Sequence, residues 1–150
     1  MLDRPIKLKY NKTRKGKLVA LDFKTNKLKF GFIGLKTAQA GILSAKQIEA
    51  ARRAIVRKIK RKGKVWVRVF PCLPRTAKSS KIRMGKGKGQ VSFWGSRVRG
   101  GTTIFEICGV DLDISFSALK LGGAKLPLKT RIFVETKAII KKESDDKWIE

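Results

Sequence analysis

No acidic side chain stands between Glu49 and Glu106. The interval carries Arg52, Arg53, Arg57, Lys58, Lys60, Arg61, Lys62, Lys64, Arg68, Arg75, Lys78, Lys81, Arg83, Lys86, Lys88, Arg97 and Arg99. A compact body built from such a stretch repels itself, and a polyanion relieves the repulsion. The whole chain leans the same way: 37 Lys and Arg against 11 Asp and Glu in 150 residues, a formal net charge of +26. Nucleic acid is the usual polyanion, because displaced counterions drive its binding to lysine and arginine. An anionic membrane would instead call for a basic amphipathic helix. No apolar run is long enough to span a bilayer, and residues 1–10 are too charged for a signal peptide. The acids gather late, at Glu143, Asp145, Asp146 and Glu150. The phosphate-facing part is therefore expected in the middle, with the C-terminus pointing elsewhere.

The length suggests one domain, and 42% hydrophobic residues suffice for a modest core. Residues 1–17 are basic and offer little to bury, so they read as an extended arm. Residues 28–32 alternate, with Leu28, Phe30 and Phe32 on one side, which predicts a half-buried strand. Ser44 and Gln47 form a capping-box pair. Ile48, Ala51, Ile55 and Ile59 then make one apolar stripe of a helix ending near Gly63. Arg52, Arg53, Arg57, Lys60 and Arg61 lie off the stripe, with no acid after Glu49 to pair them. Like-charge repulsion makes that face unfavourable without a bound anion. Residues 64–70 alternate with bulk on both faces and read as a central strand, which Pro71 and Pro74 break. A polar loop follows over 75–90, long enough to be functional. Residues 91–97, 103–108 and 130–136 read as strands, with a hairpin-like turn at Arg99, Gly100 and Gly101. Residues 111–126 form a weaker helix, in which Gly122 and Gly123 mark either its end or a close packing contact. The domain is expected over 18–136, with 137–150 as an extension.

Enzyme chemistry finds little here. There is no histidine, which removes a Ser-His-Asp arrangement. The loop Arg83-Met84-Gly85-Lys86-Gly87-Lys88-Gly89 is rich in the residues that approach phosphates. It lacks the spacing and the Ser or Thr of a Walker loop. Cys72 and Cys108 are isolated, read as buried or semi-buried free thiols, and call for no metal. Trp66 and Trp94 read as core rather than as base-stacking platforms, and the tail acids as a solvated segment.

Four motifs in register carry a resemblance. They are S-A-K-Q-I-E-A-A-R-R-A from Ser44, G-K-V-W-V-R-V-F-P from Gly63, R-M-G-K-G-K-G from Arg83 and A-K-L-P-L-K-T from Ala124. In these, from about Pro5 to Val134, the chain resembles the bacterial-type large-subunit ribosomal protein L-sixteen family. The resemblance implies a two-layer α+β fold, with two helices packed on a mixed, mainly antiparallel sheet. It implies a non-enzymatic constituent of the large ribosomal subunit, near the peptidyl-transferase centre. Large-subunit rRNA contact is implied for Lys7, Lys9, Lys12, Arg14 and Lys15 of the arm and for Arg52, Arg53, Arg57, Lys60 and Arg61. Lys58, Lys62, Lys64 and Arg68 of the acid-free stretch are expected with them. The loop bearing Lys81, Arg83, Met84, Gly85, Lys86, Gly87, Lys88 and Gly89 is implied to reach A- and P-site tRNA. No cofactor, membrane or small-molecule substrate is expected. The other reading is an RNA-binding assembly factor. The chain departs from the family pattern at Cys72-Leu73, at Phe93-Trp94-Gly95-Ser96 and over 76–81. It also runs past the usual end, where 137–150 would meet neighbouring ribosomal proteins. Such drift resembles an organellar member, mitochondrial before plastid, with a bacterial ribosome as the other alternative.

Overall fold

A computed structural model of the protein describes residues 4–14, 16–18 and 21–135. The elements run β1 (Ile33–Thr37), β2 (Gly41–Ser44), α1 (Ala45–Lys58), β3 (Lys64–Val67), β4 (Leu73–Ala77), β5 (Gln90–Val98), β6 (Thr103–Cys108), α2 (Leu112–Gly123) and β7 (Thr130–Val134). The fold is α+β, as the resemblance implies. Its strands form two antiparallel sheets, ordered β3-β6-β1-β7 and β2-β5-β4. The parallel pairing among the described residues is an isolated bridge between Leu21 and Gly100. Both helices cover one face of the first sheet. Ile33 and Leu35 of β1 and Phe105 and Ile107 of β6 meet Ile48, Ala51 and Ile55 of α1 and Ala118 and Leu119 of α2 in one core.

The helices begin and meet where the residues dictate. The Ser44 hydroxyl accepts from the Gln47 N–H and the Gln47 amide oxygen accepts from the Ser44 N–H, the capping box that the sequence predicts. Gly122 both precedes the helix end and permits a close approach. A Cβ there would stand 2.6 Å from Ile55 Cγ1. α1 stops at Lys58, short of the expected Gly63. The chain turns away through Lys60 (φ 51°), Arg61 (φ 62°) and Gly63 (φ 71°).

The expected strand over 28–32 does not form, because its backbone donors have another acceptor. The N–H groups of Lys29, Phe30 and Gly31 converge on Oε2 of Glu106 at 3.1, 2.7 and 3.0 Å. The Arg68 guanidinium donates to Oε1 of the same carboxylate. Glu106 has no exposed side-chain surface. It projects from β6 between Gly34 of β1 and Trp66 of β3, on the face opposite the helices. The 28–31 segment thus closes over that second face. Phe30 stacks on Trp66, with centroids 5.9 Å apart and planes at 17°. Leu28 lies over Gly34, where a Cβ would meet it at 2.6 Å. Strand pairing starts only at Ile33.

This cover also explains β3. Its bulk on both faces predicts a central strand, yet it sits at a sheet edge. The outer face of the edge is covered by Phe30 instead of by a further layer. Two other expectations change. Pro74 lies inside β4 rather than breaking the chain, and the ladder tolerates it because β4 is also an edge. The loop therefore spans 78–89. The turn at 99–101 is a crossover between sheets rather than a hairpin, since β5 pairs with β2 and β4 while β6 pairs with β1 and β3. Thr37 anchors it, donating from its hydroxyl to Arg99 O at 2.6 Å and accepting the Gly101 N–H at 2.7 Å.

Burial pushes the Glu106 carboxyl up, but the N–H groups of Phe30, Gly31 and Lys29, with Arg68, outweigh it and hold it below the usual carboxylate range. A depressed folded pKa gives stability that is complete above the unfolded value and lost as pH falls through the folded one. Glu106→Gln leaves Arg68 buried without its charge partner and is expected to cost about 3 kcal/mol or more at neutral pH. It should also flatten the decline in stability below about pH 4. Urea unfolding followed by circular dichroism over that range checks this. A decline as steep in the variant as in the parent would contradict it.

Candidate nucleic-acid interface

α1 carries its cations on the side away from the core, and they fall into two groups. Glu49 sits three and four residues before Arg52 and Arg53, one helical turn away. It accepts from Arg52 Nε at 2.8 Å and Nη2 at 2.7 Å, and from Arg53 Nε at 3.0 Å. The Arg52 bonds, against some burial and with help from Arg53, hold the Glu49 carboxyl at about 2. The same pairing raises the pKa of Arg52. The expectation that these two arginines lack an acid is therefore overturned: the acid precedes them. Arg57, Lys58, Lys60, Arg61, Lys62 and Lys64 are exposed, and among the described residues none of them forms an ion pair. The left-handed backbone at Lys60 and Arg61 turns the chain sharply after the helix, and Arg57, Lys58, Lys60, Arg61 and Lys62 stand around that turn.

Some neighbours of this surface were missed from the sequence. Lys46 at the start of α1 and Lys125 just after α2 line a shallow groove with Arg53 and Arg57. Lys125 belongs to the A-K-L-P-L-K-T motif, and only the packing of α2 on α1 brings it here. Arg68 behaves differently from its expected group. Its guanidinium is held by Glu106 and lies 5.4 Å from the Phe30 ring centroid, so it supports the sheet. Lys64 stands over Trp66 at 5.5 Å.

The second basic surface joins two segments that are far apart in sequence. The Lys12 ammonium donates to Lys88 O at 2.9 Å, and the Lys88 ammonium donates back to Thr13 O at 2.5 Å. Arg97 of β5 donates to Arg14 O at 2.7 Å. The arm is thereby pinned beside the loop. Lys7, Lys9, Lys12 and Arg14 remain exposed, as do Lys81, Arg83, Met84, Gly85, Lys86, Gly87 and Lys88, with Gly89 half-buried. Lys15 and residues 136–150 lie outside the described residues. Gly85 (φ 88°), Lys86 (φ 50°) and Gly87 (φ 81°) run through left-handed backbone, which explains the alternating glycines. A Cβ at Gly85 or Gly87 would meet nothing within 4 Å, and Met84 is 98% exposed. The tip therefore projects freely, with Lys78 donating to Gly85 O at its base.

Among the described residues no cluster of metal-ligating side chains occurs, and no helix is long and apolar enough to cross a membrane. Cys108 is half-buried, whereas Cys72 is exposed, contrary to expectation; both are free.

The family model described as ribosomal protein L16p/L10e matches residues 5–133. Large ribosomal subunit protein uL16 of Chelativorans sp. (strain BNC1) is 52% identical over 127 residues, which is 85% of this chain and 93% of that one. The uL16 of Caulobacter vibrioides is 46% identical over 140 residues, covering 93% and 98% of the two chains. That of Borrelia recurrentis is 48% identical over 130 residues, covering 87% and 94%. These relatives are bacterial, and none is organellar.

The pairing within α1 makes the two groups of cations separable. Arg57→Gln with Arg61→Gln is expected to lower the salt slope of binding to large-subunit RNA by roughly 0.7–0.9 for each phosphate that is no longer neutralised. Arg52→Gln with Arg53→Gln should lower it less and instead destabilise α1, because Glu49 loses its partners. Filter binding across a salt series, with thermal unfolding of each variant, checks both. Equal slopes for the two double variants would contradict the division.

Proposed function

This chain belongs to the ribosomal protein L16p/L10e family, and on that premise we propose that it grips large-subunit rRNA with one basic surface and reaches tRNA with the other. It is a structural, non-enzymatic component of the large ribosomal subunit and works in translation. Its ribosome is that of a cytoplasm or of an organelle.

The rRNA-facing surface in this reading is the outer side of α1 with its corner at Arg57, Lys58, Lys60, Arg61 and Lys62, extended by Lys46 and Lys125. Phosphates supply the anions that the described residues do not. Such contacts position a protein without reading sequence, which suits a structural component. The tRNA-facing surface is the tip at 83–88, near the peptidyl-transferase centre. The observation that carries this assignment is the pair of bonds that join arm and loop, Lys12 to Lys88 O and Lys88 to Thr13 O. It fixes the base of the loop against the rRNA-binding arm and leaves the glycine-rich tip free to meet a mobile ligand. Gly85 and Gly87 let the backbone come close, and Lys86 adds a point charge for a phosphate. The assignment to A- and P-site tRNA rests on the resemblance of R-M-G-K-G-K-G. The sequence drift at 72–73 and 93–96 supports a mitochondrial ribosome as the finer placement.

Lys86→Ala is expected to leave the fold intact, because nothing packs on the tip. It should slow tRNA accommodation severalfold, in keeping with about 1 kcal/mol for one exposed charge pair. Lys88→Ala should in addition loosen the arm at Thr13, while the bonds from Lys12 and Arg97 remain, read as modestly faster protease cleavage within residues 4–14. Stopped-flow accommodation on particles carrying each variant tests the first point. An unchanged rate with Lys86→Ala would remove the loop from tRNA handling. Recovery of the chain only in precursor particles after sedimentation in high salt would favour an assembly factor instead.

A further inference from the structure

A cleft of about 720 Å³ opens between the start of α1 and the second sheet, lined by Lys46, Gln47, Arg75, Ser92, Phe93 and Trp94 among others. It contains an unmet charge. Nη1 of Arg75 is buried and has no hydrogen-bond partner among the described residues. A guanidinium cannot shed its proton to escape burial, and a buried donor without an acceptor is rare. No carboxylate lines the cleft. Arg75 itself lines the cleft, where its guanidinium can meet an external acceptor, and a second cation, Lys46, stands at the same rim. The capping box already satisfies the N–H groups of Ser44 and Gln47, so the helix end is not the basis of the site.

The other side of the cleft is aromatic. Phe93 lies directly across the β4–β5 ladder from Arg75, so the two side chains leave the sheet on the same face. Phe93 is 44% exposed, and Trp94 is half-buried beside it. A guanidinium aimed at an anion, next to a flat apolar surface, matches a nucleotide: phosphate at one end, base at the other. An acidic peptide would answer the charge but leave the aromatic wall bare.

We propose that this cleft binds one unpaired nucleotide of large-subunit rRNA, with its phosphate on Arg75 and Lys46 and its base against Phe93. The proposal rests on the rRNA-binding reading above and adds a site on the second sheet that shares Lys46 with the surface of α1.

The test places a photo-crosslinker in the full chain within assembled large subunits. Phe93→p-benzoylphenylalanine probes the cleft, and Lys58→p-benzoylphenylalanine probes the basic corner of α1. The expected result is a cross-link from position 93 to a single unpaired nucleotide. Adding Arg75→Ala should lower it at least about tenfold, while the cross-link from position 58 in a parallel Arg75→Ala chain stays unchanged and shows that the variant is incorporated. Arg75→Gln takes its place if the alanine variant does not assemble. Cross-links from 58 with none from 93, or from 93 only to protein, the chain's own residues 136–150 included, would overturn the site and leave the wider reading standing. So would a nucleotide cross-link that ignores the loss of Arg75. No RNA cross-link from either position would overturn the wider reading itself.

Discussion

Glu106 has no exposed surface, yet it keeps its charge, because three backbone N–H groups and one guanidinium are aimed at it. Taking a carboxylate out of water costs several kcal/mol, and only such a set of donors offsets it. The arrangement decides more than its own energy. It draws residues 28–31 across the open face of the first sheet, brings Phe30 onto Trp66, and lets β3 be an edge strand without exposing its bulk. It also removes Arg68 from the surface. One buried anion thereby completes the second layer that a small basic domain would otherwise lack.

Two other acids of the domain, Asp22 and Glu49, are likewise engaged by nearby donors. The Thr25 hydroxyl and N–H, against slight burial and with Thr102 and Lys24, hold the Asp22 carboxyl at about 2. That tether fastens the segment before β1 to the crossover at Thr102. Glu49 is engaged by Arg52 and Arg53. Carboxylates thus organise the interior and its margins, and the cations left over face outward with no acid opposite. The surplus of positive charge is consequently a property of particular surfaces: the corner after α1 and the joined arm and loop. A phosphate backbone meets those surfaces without first having to displace an internal partner.

How much of this is legible in the sequence depends on distance along the chain. The capping box at Ser44 and Gln47 and the stripe from Ile48 to Ile55 are local patterns, and the structure follows them. The fate of residues 28–32 is not local, since their donors are claimed by a carboxylate some 75 residues later. Alternating side chains describe a strand equally well as a segment turned inward onto an anion. Pro74 reads as a breaker only if its strand is central, and edge status is a tertiary fact. The ion pairs of Glu49 stand at plain helical spacing and were open to reading; the acid lies before the arginines rather than after them. The meeting of Lys12 with Lys88, and of Arg75 with Phe93, has no signal in spacing at all. Of the two basic surfaces, the sequence reveals the residue types of both and the geometry of neither.

The central claim is that outward cations with no acid opposite them are what rRNA meets. A map of the assembled large subunit with this chain and its rRNA built would test it most directly. The account predicts phosphate oxygens within about 4 Å of Arg57, Lys58, Lys60 and Arg61, with Arg68 still on Glu106 and away from RNA. A corner of α1 facing only solvent or protein, or a phosphate on Arg68 in place of Glu106, would contradict it.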